Sequence, residues 1–204
     1  MNYRNIAVLL VGTLIAALVA GCGGTKPPME GTKELIAGGD PPKWASNPHK
    51  ESDKKFKAFV GVSRQYTMES MARNDARLDA FKQAIDDMGV YGERKIYQVV
   101  SEMGMSSDIV NPGVVQDELT RLRTRGVATG EIKETHVQHW RKFEGGKWRD
   151  YYIVRCLFLV PRDAAKQFMQ DVLKAQADAA QAEKDRANLL RAMEKMKQLQ
   201  AEDW

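Results

Sequence analysis

The chain contains few side chains that could ligate a metal ion or act as a nucleophile. Its three histidines are His49, His136 and His139, and its two cysteines are Cys22 and Cys156. His136 and His139 are three residues apart in a segment of strand composition, where that spacing points them to opposite faces of a sheet. Cys156 lies inside an apolar run, whereas a catalytic thiol needs an accessible, electropositive setting. We therefore expect no bound metal, no cofactor and no catalytic residue.

The first 22 residues indicate another use for a thiol, as a site of lipid attachment. Arg4 precedes an apolar stretch of fifteen residues, Ile6 to Ala20, which is typical of a secretory signal and too short to predict a membrane span. The stretch leads into Leu18-Val19-Ala20-Gly21-Cys22, which resembles the lipobox of bacterial lipoproteins. The resemblance implies cleavage before Cys22 and acylation of its thiol. An ordinary cleaved signal followed by an accidental cysteine is the alternative.

Acylation of Cys22 would anchor the protein to a membrane, because two acyl chains suffice for stable anchoring. In lipoproteins of enteric type an aspartate after the cysteine favours the inner membrane. This chain has Gly23 there, so the resemblance implies the outer membrane, with the protein facing the periplasm or the cell surface. We predict a signal peptide at residues 1–21. A flexible lipid-anchored tether rich in glycine and proline is predicted at residues 22–42.

The composition is that of a globular protein with a modest positive charge. The 204 residues include 31 basic and 27 acidic side chains, and 43% of the residues are hydrophobic. These proportions exclude a membrane channel, a disulfide-rich miniprotein and a collagen-like rod. The basic residues form no tract or stripe, so nucleic acid is not an expected partner.

Residues 43–161 begin with the pattern of a strand followed by a helix. Phe56–Ser63 is a short apolar run of strand type, and Thr67 is a candidate cap for the helix that follows. Apolar residues recur along that helix at the spacing of one buried face. Gly89 and Gly92 are expected to interrupt it. Farther on, Asn111-Pro112 predicts the start of a short helix.

Two longer strand candidates follow and predict a hairpin. They are Val127–Phe143 and Trp148–Val160, on either side of Glu144-Gly145-Gly146-Lys147. The second strand is apolar on both faces, so we expect one face to be covered by the amphipathic helix and the other by a further element or a partner chain. The order strand, helix, strand, strand predicts an α+β fold, with a small antiparallel-containing sheet packed on the amphipathic helix.

Aromatic and basic side chains flank the predicted turn. Cross-strand packing of Trp140 against Trp148 is the interpretation we favour. The alternative is an interaction surface for peptidoglycan, lipid headgroups or an acidic protein patch. The residues concerned are Trp140, Arg141, Lys142, Lys147, Trp148 and Arg149.

Residues 162–204 are predicted to form one long C-terminal helix, because Arg162 to Gln200 contains neither glycine nor proline. A helix of that length would extend about 60 Å, so its distal half would have to project from the domain or pair. A heptad frame fits the segment and is typical of an oligomerising coiled coil. A solvated alanine-rich helix is an equally good interpretation. The candidate oligomerisation seam consists of Phe168, Val172, Leu189, Met193 and Met196.

The order of these features resembles the twenty-kilodalton bacterial lipoprotein family, which includes flagellar outer-membrane lipoproteins. The resemblance covers residues 41–161 and does not extend to the helix after Pro161. It rests on common residue types in a particular order: Pro42-Lys43-Trp44, the strand Phe59–Ser63, a helix with Ala72, Ala76, Ala80 and Ala84, and a hairpin that ends in a hydrophobic strand.

The family resemblance implies a noncatalytic envelope protein, in some members a building block of large rings. We therefore expect a lipid-anchored structural or assembly component of the bacterial envelope, of a flagellar or other ring-shaped outer-membrane machine. Its partners would be the membrane, through the lipid on Cys22, and either further copies of the chain or another envelope protein. The alternative is a tethered regulatory module that binds a periplasmic enzyme or peptidoglycan.

Overall fold

The computed structural model describes residues 28–106, 109–125 and 130–198. The predicted signal peptide, Cys22 and the start of the predicted strand Val127–Phe143 lie outside these ranges. The described helices and strands are β1 Lys33–Ala37, α1 Lys43–Ser46, a 3-10 helix Pro48–Glu51, β2 Phe56–Val62, α2 Glu69–Glu102, α3 Pro112–Arg125, β3 Glu131–Glu144, β4 Lys147–Pro161, α4 Arg162–Ala179 and α5 Glu183–Gln198.

The strands form one four-stranded sheet in the order β1-β3-β4-β2, and every neighbouring pair is antiparallel. The helix α2 packs on one face of this sheet, so the predicted α+β fold is confirmed. Successive side chains of β4 point alternately to the two faces of the sheet. Val154, Cys156, Phe158 and Val160 belong to the core beneath the helices, whereas Leu157 and Leu159 belong to a second cluster. We call the face on the side of this second cluster the outer face.

The predicted tether at residues 22–42 is wrong over Lys33–Ala37, because this segment forms β1. It pairs with β3, with Lys33 opposite Lys142 and Leu35 opposite Trp140. Its five residues lie between glycines and are mostly exposed, so hydrophobic patterning gave little sign of a strand. The edge of β3 supplies the hydrogen-bonding partners that hold the segment extended.

The first half of α2 lies on the sheet, antiparallel to β2. Ala72, Ala76, Ala80 and Ala84 are fully buried on the face that meets the sheet. The approach is so close that a Cβ atom on Gly61 would lie 2.5 Å from the backbone nitrogen of Ala80. Small residues on both sides therefore set the distance between helix and sheet. The cap predicted at Thr67 is wrong, because the N-cap is Met68 and makes no side-chain hydrogen bond.

Side chains of α2 also occupy the free edge of β2. The carboxylate of Asp79 accepts a hydrogen bond from the backbone N–H of Val62 at 2.9 Å, and the amide of Gln83 donates to the carbonyl of Val60 at 3.1 Å. Asp75 accepts from the backbone N–H of Arg64 at 2.8 Å. This bond, followed by the contact with the Arg64 guanidinium, lowers the pKa of Asp75. The edge of β2 is therefore occupied within the chain.

The second half of α2 continues past the sheet without the predicted interruption. Gly89 and Gly92 are buried inside the 34-residue helix. A Cβ atom on Gly89 would lie 2.7 Å from Leu119 of α3, and one on Gly92 would lie 2.8 Å from the ring of Phe168 of α4. The glycines are thus sites of close helix packing rather than helix breaks.

The single C-terminal helix is a wrong prediction, because the segment forms two helices. The break comes after α4, where Ala180 has an extended backbone with φ −67° and ψ 126°. The helix α5 then packs on α4 and on the far end of α2, where Lys195 pairs with Glu102 at 2.7 Å. This turn lets the apolar faces of α4 and α5 both cover the part of α2 that extends past the sheet. No glycine or proline marks it.

The predicted oligomerisation seam is consequently part of the core of the monomer. Four of its five residues, Phe168, Val172, Leu189 and Met196, are almost completely buried, and Met193 packs against the same cluster. Neither interpretation of the segment from the sequence holds, because this apolar face is neither solvated nor available to another chain.

Elements of the chain itself cover part of the outer face. Trp44 of α1 packs in a cluster with Val60, Leu157 and Leu159, and its indole N–H donates to Glu134 at 2.6 Å. The loop between β1 and α1 crosses the same face, where the amide of Gln138 donates to the carbonyl of Gly39 at 2.7 Å. No partner chain is needed at these positions.

The short helix predicted at Asn111-Pro112 is confirmed as α3. The side chain of Asn111 accepts a hydrogen bond from the backbone N–H of Gly113 at 2.9 Å. Buried Gln176 of α4 holds the same residue, since it accepts from the Asn111 N–H at 2.9 Å and donates to the Asn111 carbonyl at 2.7 Å. These bonds fix the start of α3 against α4.

Candidate interaction surface at the end of the hairpin

The hairpin between β3 and β4 is confirmed, with the turn where the glycine pair predicted it. Gly145 and Gly146 have φ values of 60° and 74°. Two consecutive residues with positive φ are the requirement of the two-residue turn that matches strand twist. The register then pairs Glu144 with Lys147 and Phe143 with Trp148. This register decides the face on which each predicted site residue lies.

The two tryptophans lie on opposite faces of the sheet, so the predicted contact between them is wrong. Trp140 is opposite Tyr151, and Trp148 is opposite Phe143. Directly opposite residues share a face and successive residues alternate. The six predicted site residues are therefore divided between the two faces rather than brought together in one patch.

On the face toward the helices, Trp148 has a structural role. Its ring contacts Phe143 edge-on, with centroids 5.5 Å apart, and the guanidinium of Arg141 lies 4.6 Å from its centroid. Arg141 also forms two hydrogen bonds with Glu34 of β1, at 2.6 and 2.8 Å. Arg141 and Trp148 are thus engaged within the protein.

On the outer face, three basic residues form a row across three strands. Lys33 of β1 is opposite Lys142 of β3, and Lys142 is opposite Arg149 of β4. We call Lys33, Lys142 and Arg149 the cationic row. Like charges directly opposite one another are destabilising in a sheet. Glu144 neutralises part of the row through a 3.0 Å ion pair with Lys142, and this contact lowers the pKa of Glu144.

A second row, formed of apolar and aromatic side chains, lies directly behind the cationic row. The register places Leu35, Trp140 and Tyr151 side by side. Tyr151 is buried, and desolvation raises the pKa of its hydroxyl group. Leu35 is exposed, as are Ile36 beside it and Met29 before β1. The outer face at the hairpin end therefore combines positive charge with amphipathic and apolar side chains.

The first described residues are bonded to the same end of the hairpin. The backbone N–H of Gly31 donates to the carbonyl of Phe143 at 2.9 Å, and the N–H of Phe143 donates to the carbonyl of Thr32 at 2.9 Å. The carboxylate of Glu30 accepts from the N–H of Gly145 at 2.9 Å. The chain thus enters the domain beside the turn. The sequence interpretation missed this role of residues 30–33, and the only signal was a short strand-like run between glycines.

The histidines lie on opposite faces, as the strand spacing predicted. His136 is opposite Arg155 on the outer face, and His139 stacks on Tyr152 on the helix side with centroids 4.7 Å apart. The ring of His136 hydrogen-bonds the carbonyl of Gly38 at 2.7 Å. Desolvation, with a smaller contribution from Arg155, lowers the pKa of His136.

Cys156 is buried under α2, where its thiol donates to the carbonyl of Ala76 at 3.2 Å. Burial raises the pKa of this thiol, which keeps it protonated. Among the residues described, no three His, Cys, Asp or Glu side chains are grouped so that they could hold a metal ion.

A pocket of about 220 Å³ lies beside the first half of α2. Leu78 and Phe81 line it together with Asn74, Arg77 and the ring of Phe158. Met71 lies one heptad before Leu78 and so on the same helix face, and both side chains are exposed. We call Met71, Leu78 and Phe81 the α2 stripe.

No protein-family model, curated protein sequence or solved structure matches the chain. The resemblance to the twenty-kilodalton lipoprotein family therefore stays a prediction. No helix in residues 28–106, 109–125 or 130–198 is both long enough and apolar enough to cross a membrane.

Proposed function

We propose that the protein is a noncatalytic bacterial envelope lipoprotein, anchored to the outer membrane by lipid on Cys22 and acting as a structural or assembly component. The observation that carries the proposal is the sequence Leu18-Val19-Ala20-Gly21-Cys22 at the end of an apolar signal. The family resemblance supports a component of a flagellar or other ring-shaped machine.

The place where the chain enters the domain supports an assembly component rather than a far-reaching regulatory module. Since Glu30 and Gly31 are bonded to the hairpin end, only the residues from Cys22 to Met29 separate the proposed lipid from the domain. Seven residue steps span at most about 25 Å when fully extended. The domain is thereby held next to the bilayer that carries the lipid, which disfavours binding to a distant enzyme or to peptidoglycan.

Self-association, if it is to build an assembly, needs a surface other than the buried C-terminal seam. The α2 stripe and its pocket provide one, with a second copy of this chain as the occupant. The stripe presents protruding side chains, Met71 and Leu78, beside a pocket large enough for an apolar side chain. Knobs and a hole on the same surface fit a two-fold interface in which each copy fills the pocket of the other.

The anchor is tested by Cys22→Ser in the full-length protein, with Cys156→Ser as the matched control. We expect Cys22→Ser to lose the mass of the acyl groups and to leave the membrane fraction, whereas Cys156→Ser keeps both. A Cys22→Ser protein that stays in the membrane fraction with unchanged mass would contradict the proposal. Fractionation of the native protein with the inner membrane would contradict only the outer-membrane placement.

Assembly is tested by light scattering on the unacylated mature chain. We expect wild type to form a dimer through the two-fold interface, and Leu78→Glu to dissociate it. Val90→Glu is the control, because Val90 is 60% exposed and Leu78 65% exposed on different faces of α2. A wild-type chain that stays monomeric at all concentrations would favour the regulatory module. Equal dissociation by both variants would place the interface elsewhere.

A further inference from the structure

We propose that the outer face of the hairpin end binds the anionic surface of the same membrane that holds the lipid anchor. The cationic row would contact lipid phosphates, and the row of Leu35, Trp140 and Tyr151 would lie behind it. The proposed acylation of Cys22 determines which membrane this surface would meet. The attraction of the surface to anionic lipid does not depend on acylation.

The first argument is the position of the hairpin end along the chain. The hydrogen bonds of Glu30 and Gly31 with the turn place this end of the domain nearest to Cys22. The helices α3, α4 and α5 pack around the part of α2 that extends past the opposite end of the sheet. A short connection therefore presents the hairpin end to the bilayer and holds the helical end away from it.

The second argument is charge. Strand spacing of about 4.8 Å places the three members of the cationic row within about 10 Å of one another. Among the described residues at this end, the carboxylate of Glu144 pairs with Lys142, and that of Glu30 accepts from the N–H of Gly145. Lys147, opposite Glu144, adds a further exposed cation at the turn. A cluster of this kind loses its internal repulsion when an anionic surface is brought against it.

The third argument is the composition of the row behind the charges. Trp140 is partly exposed on the outer face, beside exposed Leu35. Tryptophan is enriched at the level of lipid headgroups because its ring is apolar with a polar group at one end. Tyr151 is buried and supports the ring of Trp140 from the neighbouring strand. Exposed Leu35 and Met29 supply apolar contact on the same end of the domain.

The test measures vesicle binding by the mature chain with Cys22→Ser, so that no acyl group contributes. Vesicles of phosphatidylethanolamine with phosphatidylglycerol are compared with vesicles in which phosphatidylcholine replaces the phosphatidylglycerol. The test variant carries Lys33→Gln, Lys142→Gln and Arg149→Gln. The control variant removes the same number of exposed charges away from the hairpin, with Lys50→Gln, Lys54→Gln and Lys184→Gln.

We expect wild type and the control variant to partition onto the anionic vesicles alone, more weakly as salt increases. Each basic residue at an anionic surface contributes about a fivefold change in partition coefficient. The test variant should therefore bind on the order of 100-fold more weakly, and Arg149→Gln alone about fivefold more weakly. Far-ultraviolet circular dichroism confirms that the variants are folded.

Two results would overturn the inference. One is wild-type binding that is no stronger to anionic than to neutral vesicles. The other is an equal loss of binding in the test and control variants. That result would mean that binding depends on the net charge of the protein and not on the position of the cationic row. Neither result would contradict the proposed lipid anchor, because the Cys22→Ser fractionation experiment depends on acylation alone.

Discussion

Replacement of Leu189 by alanine should destabilise the whole domain, although Leu189 lies in a segment whose sequence suggests an independent helix. Leu189 is 1% exposed and packs in the main core, whereas its neighbour Leu190 is 43% exposed. Truncation of a buried leucine costs about 2–5 kcal/mol, through lost transfer free energy and the cavity left behind. The same change at an exposed position costs about 0.5 kcal/mol or less.

The size of the effect makes it easy to measure. For a chain of this size each kcal/mol lowers the melting temperature by about 2–4 °C. A central loss of about 3 kcal/mol for Leu189→Ala then corresponds to a decrease of about 6–12 °C. Leu190→Ala should melt within about 2 °C of wild type. Thermal and urea unfolding of the unacylated mature chain, followed by circular dichroism, would measure both.

Protein concentration separates this explanation from a coiled coil. Burial within the monomer predicts that the difference between Leu189→Ala and wild type is independent of concentration, because the core is complete in one chain. A difference that disappears on dilution, or equal effects of the two leucine substitutions, would refute the assignment of α5 to the core of the monomer.

Two further predictions concern the sheet. Gly61→Ala should lower the free energy of unfolding by about 1–3 kcal/mol or more. The reason is that its Cβ would lie 2.5 Å from the backbone nitrogen of Ala80 and would force helix and sheet apart. Urea denaturation would measure the loss. An unchanged midpoint would contradict the close approach of α2. The lowered pKa of His136, below its usual 6.5, means that the folded state disfavours the protonated ring. Stability should therefore be full above pH 6.5 and decrease as the pH falls through the lowered pKa. His136→Gln should lack this part of the decrease, and an identical pH dependence in both proteins would exclude His136 as its source.

Periodicity and turn chemistry were sufficient to predict the central fold. The glycine pair at 145–146 determines the turn of the hairpin, and the alanine spacing of α2 determines its buried face. Both signals are local, since each depends on the conformation of a few consecutive residues. The strand β2 and the start of α3 at Asn111-Pro112 were predictable for the same reason.

Several predictions that depended on partners elsewhere in the chain were wrong. The segment Lys33–Ala37 is only five residues long and does not alternate apolar with polar residues, so it gives little local sign of a strand. It is extended because the edge of β3 binds it. Gly89 and Gly92 look like helix breakers, but α3 and α4 come so close to α2 at these two positions that a side chain would not fit. In both cases the deciding contact is distant in sequence.

The candidate site likewise depends on local features that the sequence predicted and on a strand register that it did not. The sequence alone predicted which basic and aromatic residues flank the turn, but the register placed Trp148 and Arg141 on one face and the cationic row on the other. Lys33 could not be assigned to that row without β1. A difference of a single residue in register would reverse these faces, so only the pairing of the strands could decide which side chains share a surface.

The sequence by itself determined the hairpin turn, the amphipathic faces and the α+β class, because each is encoded in neighbouring residues, and the proposal of a lipid site rests on the sequence alone. Only the tertiary structure decided that residues 162–198 turn back on themselves. The heptad spacing in that segment specifies an apolar face but not the surface that covers it. The second half of α2 extends past the sheet with its own apolar face. Folding α4 and α5 onto it buries this face together with the apolar faces of α4 and α5 within one chain.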